Sequence, residues 1–133
     1  MKVTVSYTEI SDWTGKLFHI APVLKRVDEK SLEVSFKPGR FIPTVKVTFK
    51  VEAMRKDVVC LSYDCSTAVS LLISGAVEHL QGKIPHGIEV KPEEKRVNVY
   101  LDRIDKLKNA LDYVAPTDLS FGKEEVCLIF ELL

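Results

Sequence analysis

Residues 66–101, STAVSLLISGAVEHLQGKIPHGIEVKPEEKRVNVYL, decide how the chain is organised. The first half reads as a helix: Ser66 or Thr67 supplies the N-cap, Gly82 ends it and Pro85 follows closely. Val69, Leu72, Ile73, Ala76, Val77 and Leu80 recur at i, i+3, i+4 and i+7, one helical face. Ala68 and Leu71 extend the apolar surface beyond that stripe, and Glu78 is the one formal charge before Lys83. A helix apolar over more than half its circumference is expected to be nearly enclosed by the rest of the chain. At about 1.5 Å per residue it spans roughly 24 Å, the length of a small domain.

Working outward, the flanking segments read mainly as strands. Thr44 to Ala53 alternates Val45, Val47, Phe49, Val51 and Ala53 against Lys46, Thr48, Lys50 and Glu52, a strand with one dry and one wet face. Ser31 to Lys37 precedes it across a Pro38-Gly39 turn, and Val58 to Cys65 returns after Arg55 to Asp57, so three strands form a meander whose inner face needs cover. Downstream, Ile88 to Val90 and Val97 to Leu101 flank the charged turn KPEEKR as an exposed hairpin. Asp102 caps a short helix over 103–111, and Asp112 to Phe121 with Glu124 to Leu133 forms a closing strand pair around Gly122-Lys123.

The N-terminal part alternates from Met1 to Tyr7, then changes period. Ile10, Trp13, Leu17, Ile20 and Leu24 fall three or four apart, which predicts an amphipathic helix from about Glu9 to Leu24, weakened by Gly15 and broken near Pro22. Its apolar side carries the chain's one tryptophan, large enough to close the end of a core or groove. The reading is therefore one α+β domain, residues 1–133. A curved, mainly antiparallel sheet of long strands wraps one apolar helix, about 66–82, with an amphipathic N-terminal helix and a short helix near 103–111.

Composition excludes several function classes. Lys plus Arg equals Asp plus Glu at 19 each, so there is no bulk field to draw in nucleic acid or an anionic membrane. No apolar run approaches the ~20 residues of a membrane span, and MKVTVSYTEI alternates where a signal peptide would carry an apolar block; no integral membrane segment and a cytoplasmic location are expected. Three cysteines, Cys60, Cys65 and Cys127, lack C-x-x-C spacing and read as reduced, small, buried apolar side chains, with no metal or other cofactor expected.

An enzyme would need convergent polar groups. Ser66, Ser70, Ser74 and His79 follow no G-x-S-x-G elbow, and Asp57, Asp64, Asp102 and Asp105 each have a turn or cap role. The dispersed glycines build no phosphate cradle. No catalytic residue is expected.

The order of amphipathic helix, alternating meander, apolar helix, IPHGIEV, turn, VNVYLDRI and closing pair TDLSFGKEEVCLIFEL resembles small bacterial relatives of the tubular lipid-binding superfamily, which includes the bactericidal/permeability-increasing-like proteins. The resemblance covers roughly residues 31–133. It implies a helix cradled in a strongly curved sheet, with an apolar seam able to hold a lipid chain.

The residues lead to the same question by themselves, because an aliphatic seam between helix and sheet suits an acyl chain at about 0.8 kcal/mol per buried methylene. Its expected walls are Val69, Leu72, Ile73, Ala76 and Leu80 from the helix and Val45, Val47, Phe49 and Val51 from the strand. A head group would sit near a seam end, within reach of His86 or Arg40. Alternatively, side chains fill the seam and the chain is an interaction or structural module, for which a sheet edge makes a homodimer the natural form.

Overall fold

A computed structural model describes residues 1–37, 41, 43–79, 84, 86–104 and 108–133, the side chains of residues 17 and 18 excepted. Among the described residues the chain is α+β and mostly strand, with two α-helices and two antiparallel sheets of three and six strands. β1 (Lys2–Ser6) leads into α1 (Tyr7–Phe18). Then β2 (Val23–Asp28), β3 (Ser31–Phe36), β4 (Val45–Arg55) and β5 (Val58–Asp64) run as a meander. The helix α2 (Thr67–His79) precedes the hairpin β6 (Ile88–Lys91) and β7 (Arg96–Tyr100), and β8 (Val114–Phe121) with β9 (Glu125–Leu132) ends the fold.

The three-strand meander, the hairpin and the closing pair stand where alternation placed them, but they do not share one sheet. The large sheet has the order β2-β3-β4-β5-β7-β6, while β9 pairs with β8 on one side and β1 on the other to make a separate small sheet. Pairing of β1 with β9 runs Val3 against Leu128 and Val5 against Val126, a contact between chain ends that no local pattern encodes.

The N-terminal helix is shorter than its periodicity suggests. Ser6 caps it, its Oγ accepting from the Glu9 N–H at 3.1 Å and donating to the Glu9 carboxylate at 3.2 Å. His19 ends it in the left-handed conformation, φ 58°, its N–H donating to the Gly15 carbonyl. Leu24, assigned above to the helix, instead belongs to β2 and pairs with Val34. Pro22 breaks the helix, and the following residues alternate as a strand: Leu24 and Arg26 lie over β3's Val34 and Leu32.

The expected near-enclosure of α2 is corrected. None of its residues is buried, Leu71 is 70% exposed and Leu72 49%. Topology supplies the reason. Because β7 is antiparallel to both β5 and β6, those two strands run parallel with β7 between them, and a parallel return needs a crossover. α2 is that crossover, laid across one face of the sheet. Ser66 caps it as expected, Oγ accepting from the Val69 N–H at 3.2 Å. Its expected end at Gly82 lies outside the described residues. Of the short helix expected over 103–111, Lys108 is helical, its N–H donating to the Ile104 carbonyl at 3.0 Å; Leu101–Arg103 and Ala110–Asp112 on either side are 3-10 turns, and residues 105–107 lie outside the described residues.

All apolar cover falls on one face of the large sheet. At one end, the small sheet packs Val114, Leu119 and Phe130 against Val59, with Leu101 and Leu111 completing that core. Next to it Tyr7, Leu32 and Phe121 form a second cluster. The two sheets are stitched by Arg26 Nε donating to the Phe121 carbonyl at 2.9 Å and by Lys30 Nζ paired with Asp118, while the Tyr7 hydroxyl, donating to the Gly122 carbonyl, ties the start of α1 to the small sheet. At the opposite end Val45, Val47 and Tyr63 form a third cluster, under Val69 and Ile73 of α2.

One refinement concerns β4. A bulge between Val51 and Ala53 shifts the pairing with β5, so Met54, and not Ala53, continues the apolar face and packs on the Val59 cluster.

Gly87 holds the entry to β6. Its φ of 100° is in the region side chains avoid, and a Cβ there would stand 3.1 Å from the Tyr100 carbonyl oxygen. Its own carbonyl accepts from the Tyr100 N–H at 2.7 Å. Gly87→Ala is expected to lower unfolding free energy by about 1–3 kcal/mol, read from urea titration; an unchanged midpoint would show that the loop relaxes without strain.

Candidate functional site

Between the two helices and the uncovered end of the large sheet lies a cavity of about 440 Å³. Its floor is the inner sheet face: Leu24, Val34, Phe36, Val47, Phe49, Tyr63, Val97, Val90 and Ile88, contributed by all six strands. Ile10, Trp13 and Thr14 of α1 form one wall, Ile73, Ala76 and Val77 of α2 another, and Ile20, Pro22 and Ile84 close the corners. The Ser11 Oγ donates to the Pro22 carbonyl at 2.7 Å, which ties the post-helix turn to α1. Trp13, 50% exposed, stands at the rim.

The lining is almost wholly apolar. Thr14 spends its hydroxyl on the Ile10 carbonyl, 2.8 Å away within α1. The other polar side chain is Tyr63, 5% exposed, whose ring meets Phe49 at 6.0 Å between centroids. Its hydroxyl is buried and has no hydrogen-bond partner among the described residues. Burial pushes the Tyr63 phenol above its ordinary value, with the neighbouring Cys65 adding to the rise.

Val47, Phe49, Ile73 and Ala76, all expected as walls, do meet at this cavity. Val45 is buried beneath it with Val47 and Tyr63, and Val69 packs on the same cluster. Val51 shares their face of β4 but reaches the Tyr7, Leu32 and Phe121 cluster. The strand is long, about 36 Å at 3.3 Å per residue, so one face serves both the cavity and the core beside it. Leu72 is turned aside: only a narrow stripe, Val69, Ile73, Ala76 and Val77, faces the sheet. Leu80 and Arg40 lie outside the described residues.

The sequence reading missed Leu24, Val34, Val90 and Val97 as wall residues. Each stands at an alternating apolar position, but register across strands brings them together, and register is a tertiary property.

A second depression, about 370 Å³, borders the first around β6. Val77, Ile84, Ile88 and Val90 line both, and His86, Gly87, Glu89, Tyr100 and Arg103 complete it. Glu89 Oε1 accepts from Asn98 Nδ2 at 3.1 Å and from the Tyr100 hydroxyl at 3.2 Å, with Lys91 Nζ at 3.8 Å. The hydrogen bond from Asn98, then that from Tyr100, holds the Glu89 carboxyl below its ordinary value. Arg103 lies over the Tyr100 ring, 4.4 Å from its centroid.

No three His, Cys, Asp or Glu side chains gather as a metal site among the described residues. Nor is any helix among them long and apolar enough to cross a membrane. Comparisons with protein-family models, curated proteins and solved structures find no match.

Tyr63→Phe removes a buried hydroxyl that has no partner among the described residues, and is expected to raise stability at neutral pH by about 1 kcal/mol. The raised phenol also sets a pH dependence. Above the unfolded-state value near 10 the folded state holds more protons, so stability falls as pH climbs from there through the folded-state value. Urea titrations of both proteins between neutral and alkaline pH should show a shallower alkaline loss in the variant; parallel curves would mean that Tyr63 stays solvated.

Proposed function

We propose that this chain is a non-enzymatic binding module for a lipid or another hydrophobic amphiphile, held between α1, α2 and the large sheet. The observation that carries the reading is the cavity: about 440 Å³, inside the range of small-molecule sites, with a floor and walls of aliphatic and aromatic side chains. Such a lining gives a polar guest nothing to bond, whereas each methylene placed against it contributes about 0.8 kcal/mol.

Close packing is the rule inside proteins. This space is open at its Trp13 rim, so a guest can enter it, and it is a groove and not a sealed packing defect. The order of elements that resembles the tubular lipid-binding proteins agrees with such a role.

One observation favours a second reading, a homodimer or other interaction module. β1 is an edge of the small sheet, and Val3 and Val5 on it are exposed, as is Met1 just before it. An unpaired apolar edge of this kind can add a strand from another copy. Sedimentation of the wild type and Val3→Lys tests it, with a dimer that dissociates in the variant as the supporting result.

Trp13, the one tryptophan, reports on the groove without a label. Titration with single-chain amphiphiles is expected to shift its emission to the blue, saturating at one guest per chain. Ala76→Phe places a ring in the space the guest would use and should weaken binding at least tenfold while the protein stays folded. Unchanged affinity in that variant, or no response of Trp13 to any amphiphile, overturns the proposal.

A further inference from the structure

Two features of the polar depression bear on what kind of amphiphile the groove takes. The first is position. Val77, Ile84, Ile88 and Val90 are shared walls, so a chain lying in the apolar cavity can present its polar end beside His86 and Arg103. The second is how the charges there are engaged. Glu89 is the one carboxylate lining the depression among the described residues, and its Oε1 already receives Asn98 and Tyr100, with Lys91 close by.

Arg103 is different. Its guanidinium carbon lies 4.4 Å from the centre of the Tyr100 ring; it adds to the field that lowers the Glu89 carboxyl, but no carboxylate among the described residues forms an ion pair with it. A cation–π contact uses none of the guanidinium's N–H donors, whose fork matches the two oxygens of a carboxylate. Tyr100 thus has two contacts: its ring orients Arg103 while its hydroxyl donates to Glu89. Glu89 Oε1 takes two hydrogen bonds and has the Lys91 ammonium 3.8 Å away, so part of its charge is already answered within the protein, while the Arg103 donors are not.

We infer that the groove selects a single-chain carboxylate, with the acyl chain in the apolar cavity and the carboxylate on Arg103, His86 standing beside it. This rests on the lipid-binding reading above and deepens it by naming the head group. An ammonium head would add a second cation beside Arg103 and Lys91, and an uncharged hydroxyl would leave the Arg103 fork without an anion.

The test is titration of the full chain with dodecanoate, dodecanol and dodecylamine at neutral pH, below micelle formation, followed by Trp13 emission and calorimetry. Dodecanoate is expected to bind at least tenfold more tightly than dodecanol or dodecylamine. Arg103→Gln should bring the acid-to-alcohol ratio close to one, and Arg103→Lys, which keeps the charge but loses the fork, should leave an intermediate ratio. Because Arg103 is exposed, both variants should fold, as circular dichroism checks.

Equal binding of all three probes, a preference for the amine, or an acid preference that survives Arg103→Gln overturns the head-group assignment and leaves the groove reading standing. Failure of every probe to bind removes the groove reading itself, and the head-group assignment with it.

Discussion

A six-stranded antiparallel sheet presents one continuous apolar face, and among the described residues a three-stranded sheet and two short α-helices lie against it. At about 4.8 Å between strands, the large sheet is roughly 24 Å across its outer strand axes and the small one roughly 10 Å. The small sheet therefore covers one end of that face through Val114, Leu119, Phe121 and Phe130. The helices, about 18 and 20 Å long, must roof the other end. Helices meet a sheet along a stripe, not a plane, so two of them leave a gap between their stripes. The groove is that gap.

The placement of polar groups follows from the same constraint. Inside the groove the floor comes from inward-facing positions of every strand of the large sheet, and alternation sends the charged residues of those strands to the opposite face. On β6 and β7 the inward set is Ile88, Val90, Val97 and Val99, and the outward set includes Glu89, Lys91, Arg96 and Asn98. Around the β6 edge, Glu89, Tyr100 and Arg103 line one depression together with the apolar Val77, Ile84, Ile88 and Val90. The proposed head-group position is thus a consequence of where an edge strand ends, with Gly87 allowing the backbone to turn there.

Much of the local structure was legible from residue order. The β3–β5 meander, the β6–β7 hairpin and the β8–β9 pair show clean alternation over several residues, and Ser66 announces α2 through its cap. Four expected wall residues, Val47, Phe49, Ile73 and Ala76, do line the groove. What failed were inferences of degree and of partner. The broad apolar surface of α2 suggested enclosure, yet Leu71 and Leu72 face outward, because a crossover helix on an open sheet has neighbours on one side alone. The stretch Val23–Asp28 was hidden because helical spacing of Ile20 and Leu24 continued past Pro22, and only pairing with β3 reveals it as a strand.

By itself the sequence determined most of the element types, the dry face of the alternating strands up to the β4 bulge, the balanced charge and the aliphatic character of whatever space lies between helix and sheet. Those are properties of short windows, where period and composition act on neighbouring residues. Tertiary structure alone decided that β1 joins β9 across the whole chain, that the strands divide into two sheets, and that Val51 enters the core while Val47 and Phe49 border the groove. It also placed Arg103 on Tyr100 beside the apolar walls. The physical reason is range: alternation says which way a side chain points, and register between distant strands says what it meets.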